Sequence, residues 1–299
     1  MKKQILMAAA LFVLVVGCNK ATNNTEATET DVVATERKCA ANDVLEEQMN
    51  ADPALRQRMN DIEEFTKRVI ANPSQYRLVG NIIEIPVVVN ILYKTNAQNI
   101  SLAQIESQID VLNKDFSATN SDYNNPNTYQ SVRSGDIGVR FVIDNTTTDI
   151  VRKKSNKTSW QLNDGMKKSN QGGIDPTSPT TKLNIWVCNL ASGYLGYAQF
   201  PGGNAATDGV VIDENAFGTI GTASAPFNKG RTATHEVGHW MNLRHIWGDA
   251  TCGNDGVGDT PLHNTANYGC PSSTHRSTCT GTPLEMTMNY MDYMDDACM

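Results

Sequence analysis

The chain has 299 residues, enough for one large or two ordinary domains with a sizeable buried core. Its formal net charge of −7 supplies no basic footprint, which excludes nucleic acid as a partner. One large domain preceded by processed segments fits this length and balance best.

The opening MKKQILMAAALFVLVVGC has a charged start at Lys2 and Lys3, then an apolar run ending at small residues. It reads as a secretory signal over residues 1–17, since the run is too short for a comfortable membrane span. Val15, Val16, Gly17 and Cys18 resemble a bacterial lipobox, so Cys18 is expected to carry lipid and hold the exported chain at the cell envelope or until processing releases it. Residues 18–76 are expected to form a polar tether and a prosegment. Within them, residues 42–72 show mixed helical spacings interrupted by Pro53, which predicts a pair of amphipathic helices.

The composition changes near Arg77. NIIEIPVVVNILYK, residues 81–94, predicts the first long strand, and Leu102, Ile105, Ile109 and Leu112 predict a helix behind the cap Ser101. GVRFVID and KLNIWVCNL supply two further strands, the second burying the thiol of Cys188. LGYAQFPGG is expected as an edge strand, and a helix is expected to begin near Gly230. The fold class is therefore α/β (α+β) with a mixed sheet.

That last helix carries THEVGHWMNLRHIWGD, which holds three of the five histidines. His235 and His239 are four apart and share one helix face, so both imidazoles can address one ion. Glu236, about 100° around the helix, can approach the open side of a metal as a general base. His245 lies six residues after His239 and needs the chain to turn back, with a left-handed residue near Asn242. Three imidazoles suit zinc with one position left for water. His263 and His275, isolated in polar loops, are expected at the surface.

Beyond His245 the sequence is rich in Gly, Pro, Thr, Asn and Cys, so crosslinks must hold it. Cys252, Cys270, Cys279 and Cys298 allow three connectivities. Asp255 and Asp259 read either as a calcium loop or as a solvated acidic loop. In MTMNYMDYMDDACM, Met291 followed two residues later by Tyr293 resembles the Met-turn of the metzincin zinc proteases, in which a methionine packs beneath the ligands; Met288 and Met294 are rivals for that place.

HEVGHW with the third histidine, the cysteine-bearing region and NYMDY before Cys298 resemble the metzincin zinc proteases. Among these the likeness is to the bacterial, ulilysin-like branch of the pappalysin family, from about Arg77 to the end. Asn242 stands where the motif usually has glycine. The resemblance implies a metzincin fold over residues 77–299. Its upper lobe, 77–245, would carry a twisted mixed sheet and the active-site helix, and its lower lobe, 246–299, would be irregular and disulfide-stapled. It also implies disulfides Cys252–Cys279 and Cys270–Cys298, calcium in the loop of Asp255, Asp259 and Thr260, and Tyr293 beside the metal. A C-terminal helix follows the methionine turn in the family, so the catalytic domain is expected to be incomplete at Met299.

The function expected is a latent zinc endopeptidase acting on proteins or peptides. Asp295 and Asp296 are candidates for a pocket selecting Arg or Lys after the scissile bond, as in family members. Cys39, with no obvious disulfide partner, is expected to ligate zinc until the prosegment is cut near Arg77, as in related proenzymes. The competing readings are a non-catalytic metal-binding or adhesion module and a zinc amidase acting on cell-wall peptides. Glu236 argues against the first, because a structural zinc site needs no base.

Overall fold

The strand β1, Ile83–Tyr93, starts exposed and becomes continuously buried from Val87 to Leu92. A run of that kind belongs at the centre of a parallel sheet covered on both faces. In the computed structural model, which describes residues 34–72, 82–123 and 129–299, this is the place of β1. The signal-like run, Cys18 and the expected processing point near Arg77 lie outside the described residues.

The first half of β1 pairs with β2, Val139–Val142, and the second half with β3, Ile150–Lys154, both parallel. On its other side lies β4, Leu183–Cys188, then β6, Val210–Asp213, also parallel, and finally the antiparallel edge strand β5, Gly196–Ala198. The sequence gives no sign of β3: IVRKK is short, half-exposed and charged, and only its partner β1 makes it a strand. The order β2-β1-β4-β6-β5 puts the LGYAQF segment at the sheet edge, beside the histidine helix.

Two helices cover one face, α3, Leu102–Phe116, and α4, Arg231–Trp240. The Ser101 hydroxyl accepts the Gln104 N–H and caps α3, whose Ile105, Ile109 and Leu112 meet Val89, Ile91, Ile185 and Val187. Each such side chain removed from water contributes about 1.5–3 kcal/mol. The opposite face is sealed by Trp160, Met166 and Ile174, together with Ala40 and Val44 of the N-terminal segment.

That segment forms α1, Ala41–Ala51, and α2, Ala54–Ala71, with the break at Pro53. The longer α2 buries Leu55 alone. It is held to the sheet edge by polar contacts, such as Arg58 Nε donating to the Gly202 carbonyl at 2.7 Å. The described residues all fall in one unit, Val32–Met299, so α1 and α2 belong to the same compact body as the sheet.

After α4 the described residues contain isolated bridges but no further helix or strand. Disulfides Cys252–Cys279 and Cys270–Cys298 close this region, while Cys39 and Cys188 are free. His263 departs from expectation, being fully buried between Glu285 and Asp292. A burial built from polar partners leaves no apolar periodicity in the sequence, so nothing there announced it. His275 is partly exposed, as expected.

Candidate active site

Helix α4 is buried on every side from Arg231 to His239, so its side chains have little freedom. It ends in a Schellman motif, with Leu243 N–H donating to the Gly238 carbonyl and Asn242 N–H to that of His239, each at 2.9 Å. Asn242 has φ of 77°, the left-handed value the turn requires. The chain thereby reverses and carries His245 back over the helix.

The Nε2 atom of His239 lies 3.1 Å from those of both His235 and His245. Each Nδ1 faces an acceptor: the Tyr290 carbonyl at 2.6 Å from His235, the Leu243 carbonyl at 2.8 Å from His239, and the Asp249 carboxylate at 2.5 Å from His245. These acceptors place the ring protons on Nδ1, leaving three Nε2 lone pairs converging with no proton to share. Their repulsion is relieved by a cation, and three neutral imidazoles with oriented outer partners fit zinc. Burial, then the neighbouring imidazoles, hold His235 and His239 well below the ordinary histidine pKa, in the neutral ligating form. Asp249 therefore supports His245 and does not replace it.

The fourth group is Cys39, whose Sγ lies with the three ring nitrogens inside a 4.8 Å cluster. Its thiol also donates to Glu236 Oε2 at 3.4 Å. Burial, then Glu236, raises the Cys39 thiol well above its ordinary pKa, and burial pushes Glu236 up to about 8. A cation at the cluster reverses that tendency for the thiol and favours thiolate.

Cys39 reaches the cluster because its strand of backbone adds to β5. It bridges Gly196 in parallel, with Leu195 N–H donating to the Lys38 carbonyl at 2.9 Å and Ala40 N–H to that of Gly196 at 3.1 Å. Gly196 must lack a side chain, because a Cβ there would lie 2.9 Å from Glu236 Cγ.

Beneath α4, Met291 is buried with its sulfur against Gly238, where a Cβ would lie 2.4 Å from Sδ. Met288 is only partly buried, and Met294 is buried away from this contact, its carbonyl accepting from Arg37. The Tyr293 ring packs edge-on to His245, centroids 5.0 Å apart, and its hydroxyl donates to the Cys39 carbonyl at 3.1 Å.

Asp296 is fully buried and pairs with the equally buried Arg37 at 2.6 Å. Arg37 Nη1 also donates to Thr232 Oγ1 at 3.0 Å, and its guanidinium lies over the Phe227 ring. Asp296 Oδ2 accepts the Lys229 N–H at 2.7 Å. Asp295 makes no such contact with Arg37. Its backbone N–H donates to the Gly269 carbonyl, so of the two candidate carboxylates only Asp296 pairs with Arg37. Arg37 went unnoticed in the sequence, where ERKC reads as a charged stretch of tether. Asp255 and Thr260 meet in an exposed loop, hydroxyl to carboxylate at 2.8 Å, while Asp259 has no contact of this kind to either.

Residues 175–299 match the peptidase family M43 described as pregnancy-associated plasma protein-A. The chain is 34% identical over 229 residues to an extracellular metalloprotease of Verticillium alfalfae, covering 72% of this chain and 73% of that one. It is 32% identical over 224 residues to an extracellular metalloprotease of Arthroderma benhamiae, covering 73% and 72%. Among solved structures, a Glu-to-Ala mutant of Tannerella forsythia promirolysin superposes with a TM-score of 0.77 at 42% identity, over 88% of this chain and 89% of that one. Mature mirolysin of the same organism, in complex with a cleaved peptide, gives 0.69 at 46% identity, over 74% and 87%. The three converging imidazoles, the carboxylate beside them and these likenesses make one case: the chain belongs to the pappalysin family of metzincin zinc metalloproteases.

Proposed function

We propose that the chain is an exported zinc endopeptidase made as a latent precursor, cleaving proteins before Arg or Lys. The observation that carries this reading is the placement of one short segment: Cys39 lies in the histidine cluster while Arg37, two residues before it, pairs with the buried Asp296. A thiolate tethered in the same chain has a high effective concentration at zinc and excludes water. A buried guanidinium on a buried carboxylate supports selection of a basic side chain at this position, since a charge there needs a partner of opposite sign.

His235, His239 and His245 hold zinc, which supplies Lewis acidity toward water and the peptide carbonyl when bound. Once Cys39 withdraws, Glu236 is the carboxylate facing the cluster. It takes the proton of the attacking water and passes it to the leaving amine. Tyr293 already donates to one backbone carbonyl, that of Cys39, and in the mature enzyme it donates to the oxyanion that forms on the substrate. Substrate adds to the free edge of β5, where the prosegment now lies.

Cys18 is read as the lipid anchor and residues 1–17 as the signal. Intact mass of the membrane-bound form tests this, and a mature N-terminus elsewhere overturns it. The loop of Asp255, Asp259 and Thr260 is read as a calcium site on family resemblance; an unchanged melting temperature on calcium chelation overturns it. For latency and specificity, Cys39→Ala should make the precursor active before cleavage, and peptide profiling of the mature enzyme should show Arg or Lys after the scissile bond. A Cys39→Ala precursor as latent as the unmutated one, or a profile dominated by apolar residues, overturns the corresponding half of the reading.

A further inference from the structure

The lower region holds a buried polar cluster that touches no metal ligand. His263, Glu285 and Asp292 are each at most 2% exposed, and Asn267 is buried beside them. His263 Nε2 accepts the Met286 N–H at 3.0 Å, so the ring proton sits on Nδ1. Nδ1 points between Asp292 Oδ2 at 3.6 Å and Glu285 Oε2 at 3.7 Å. Asn267 Nδ2 donates to the same two oxygens, at 2.9 and 2.7 Å, so one amide and one ring N–H face the two carboxyl groups. His275 lies on the outer side, its Nε2 3.5 Å from Glu285.

Asp292 links this cluster to the reactive face. It sits between Met291 and Tyr293, and its Oδ1 accepts both the Tyr293 N–H and the Asn267 N–H, each at 2.8 Å. The residue before it sends its sulfur under Gly238, and the residue after it carries the phenol packed on His245. Moving the Asp292 carboxylate therefore moves both. The His263 carbonyl also accepts the Cys252 N–H at 3.1 Å, and the Asn264 N–H binds Glu285 at 2.7 Å, which ties the cluster to the Cys252–Cys279 crosslink.

We infer that His263 is a positioning residue for the Met291–Tyr293 turn, acting through Asp292 and the Met286 amide. The inference rests on the proposed role of Tyr293 for its kinetic readout, and on the Met291 packing for a second readout. Without the imidazole, the Met286 N–H loses its acceptor and the two carboxylates lose a facing donor. The turn is then free to shift by a fraction of an ångström, enough to displace a phenol from a developing charge.

The test uses the full-length precursor, processed to the mature enzyme, with a fluorogenic peptide. His263→Ala should lower kcat about 10–100-fold with KM nearly unchanged. His263→Gln, which keeps an acceptor near the Met286 amide, should recover part of that loss. In a Tyr293→Phe background the His263 change should cost little more, because the group it positions is gone. The cobalt-loaded His263→Ala enzyme should show a shifted visible band, reporting imidazoles that no longer rest on Met291 as before. Multiplicative kcat losses in the double variant together with an unshifted band overturn the inference. If Tyr293→Phe alone keeps full kcat, the role of the phenol fails, and the cobalt band decides for His263: shifted supports it, unshifted overturns it. Should His263→Ala not fold, His263→Gln and Asp292→Asn carry the same cycle.

Discussion

Three imidazoles, one carboxylate and one thiol share a few ångströms, and single substitutions separate their duties. Glu236→Ala should retain zinc while kcat/KM falls by about 10²–10⁴, since the ligands remain and the proton carrier is lost. Stoichiometric zinc with full activity would sink that assignment. His245→Ala should instead lower the zinc content itself, as measured by metal analysis after dialysis. Asp249→Ala should act more mildly, weakening zinc about 10–100-fold, because Asp249 orients the His245 ring through Nδ1 and does not ligate. Equal metal loss in the Asp249 and His245 variants would return Asp249 to the ligand set.

Helix α4 and the methionine turn meet through a glycine, so the helix carries a packing demand as well as ligands. Gly238→Ala puts a Cβ 2.4 Å from Met291 Sδ, closer than two such atoms can approach. The turn must retreat, at a cost of about 1–3 kcal/mol in a well-filled site. Chemical denaturation should show that loss, and wild-type stability would mean that Met291 has another rotamer available. The Schellman end of α4 explains why asparagine serves where the family motif has glycine: the left-handed value is needed, and asparagine is the side chain that best tolerates it. In β5 the same logic excludes a side chain at Gly196, which lies against Glu236.

Across the whole molecule, two devices compensate for a lower region with few apolar residues. The crosslinks close 27- and 28-residue separations, and by loop entropy each stabilises by about 3–4 kcal/mol. The Cys270→Ser/Cys298→Ser variant should lose about that much in urea, with the release of Met294–Met299 also loosening the Arg37–Asp296 pair. The other device is the segment before α1, proposed above as a prosegment, whose Arg37–Asp296 pair is buried on both sides. Arg37→Ala strands a buried carboxylate, so the precursor should process itself sooner than the unmutated chain, as read by gel time course. Unchanged processing would show that Cys39 alone sets latency.

The sequence by itself determined the ligand helix, because a four-residue spacing fixes two imidazoles on one face whatever surrounds them. It also determined the central strands, whose mostly apolar runs, each interrupted by one asparagine, are best satisfied at the middle of a sheet, and the capped helix α3. Local chemistry is enough for such elements. Tertiary structure alone decided the rest. Short, charged IVRKK became β3 only because β1 offered an edge, and His263 became buried because Asn267, the adjacent Glu285 and Met286, and Asp292 supplied polar partners. Arg37 of ERKC became buried because Asp296, 259 residues away, arrived opposite it. These three depend on contacts between residues far apart in the chain, and polar burial leaves no hydrophobic period by which a sequence could reveal it.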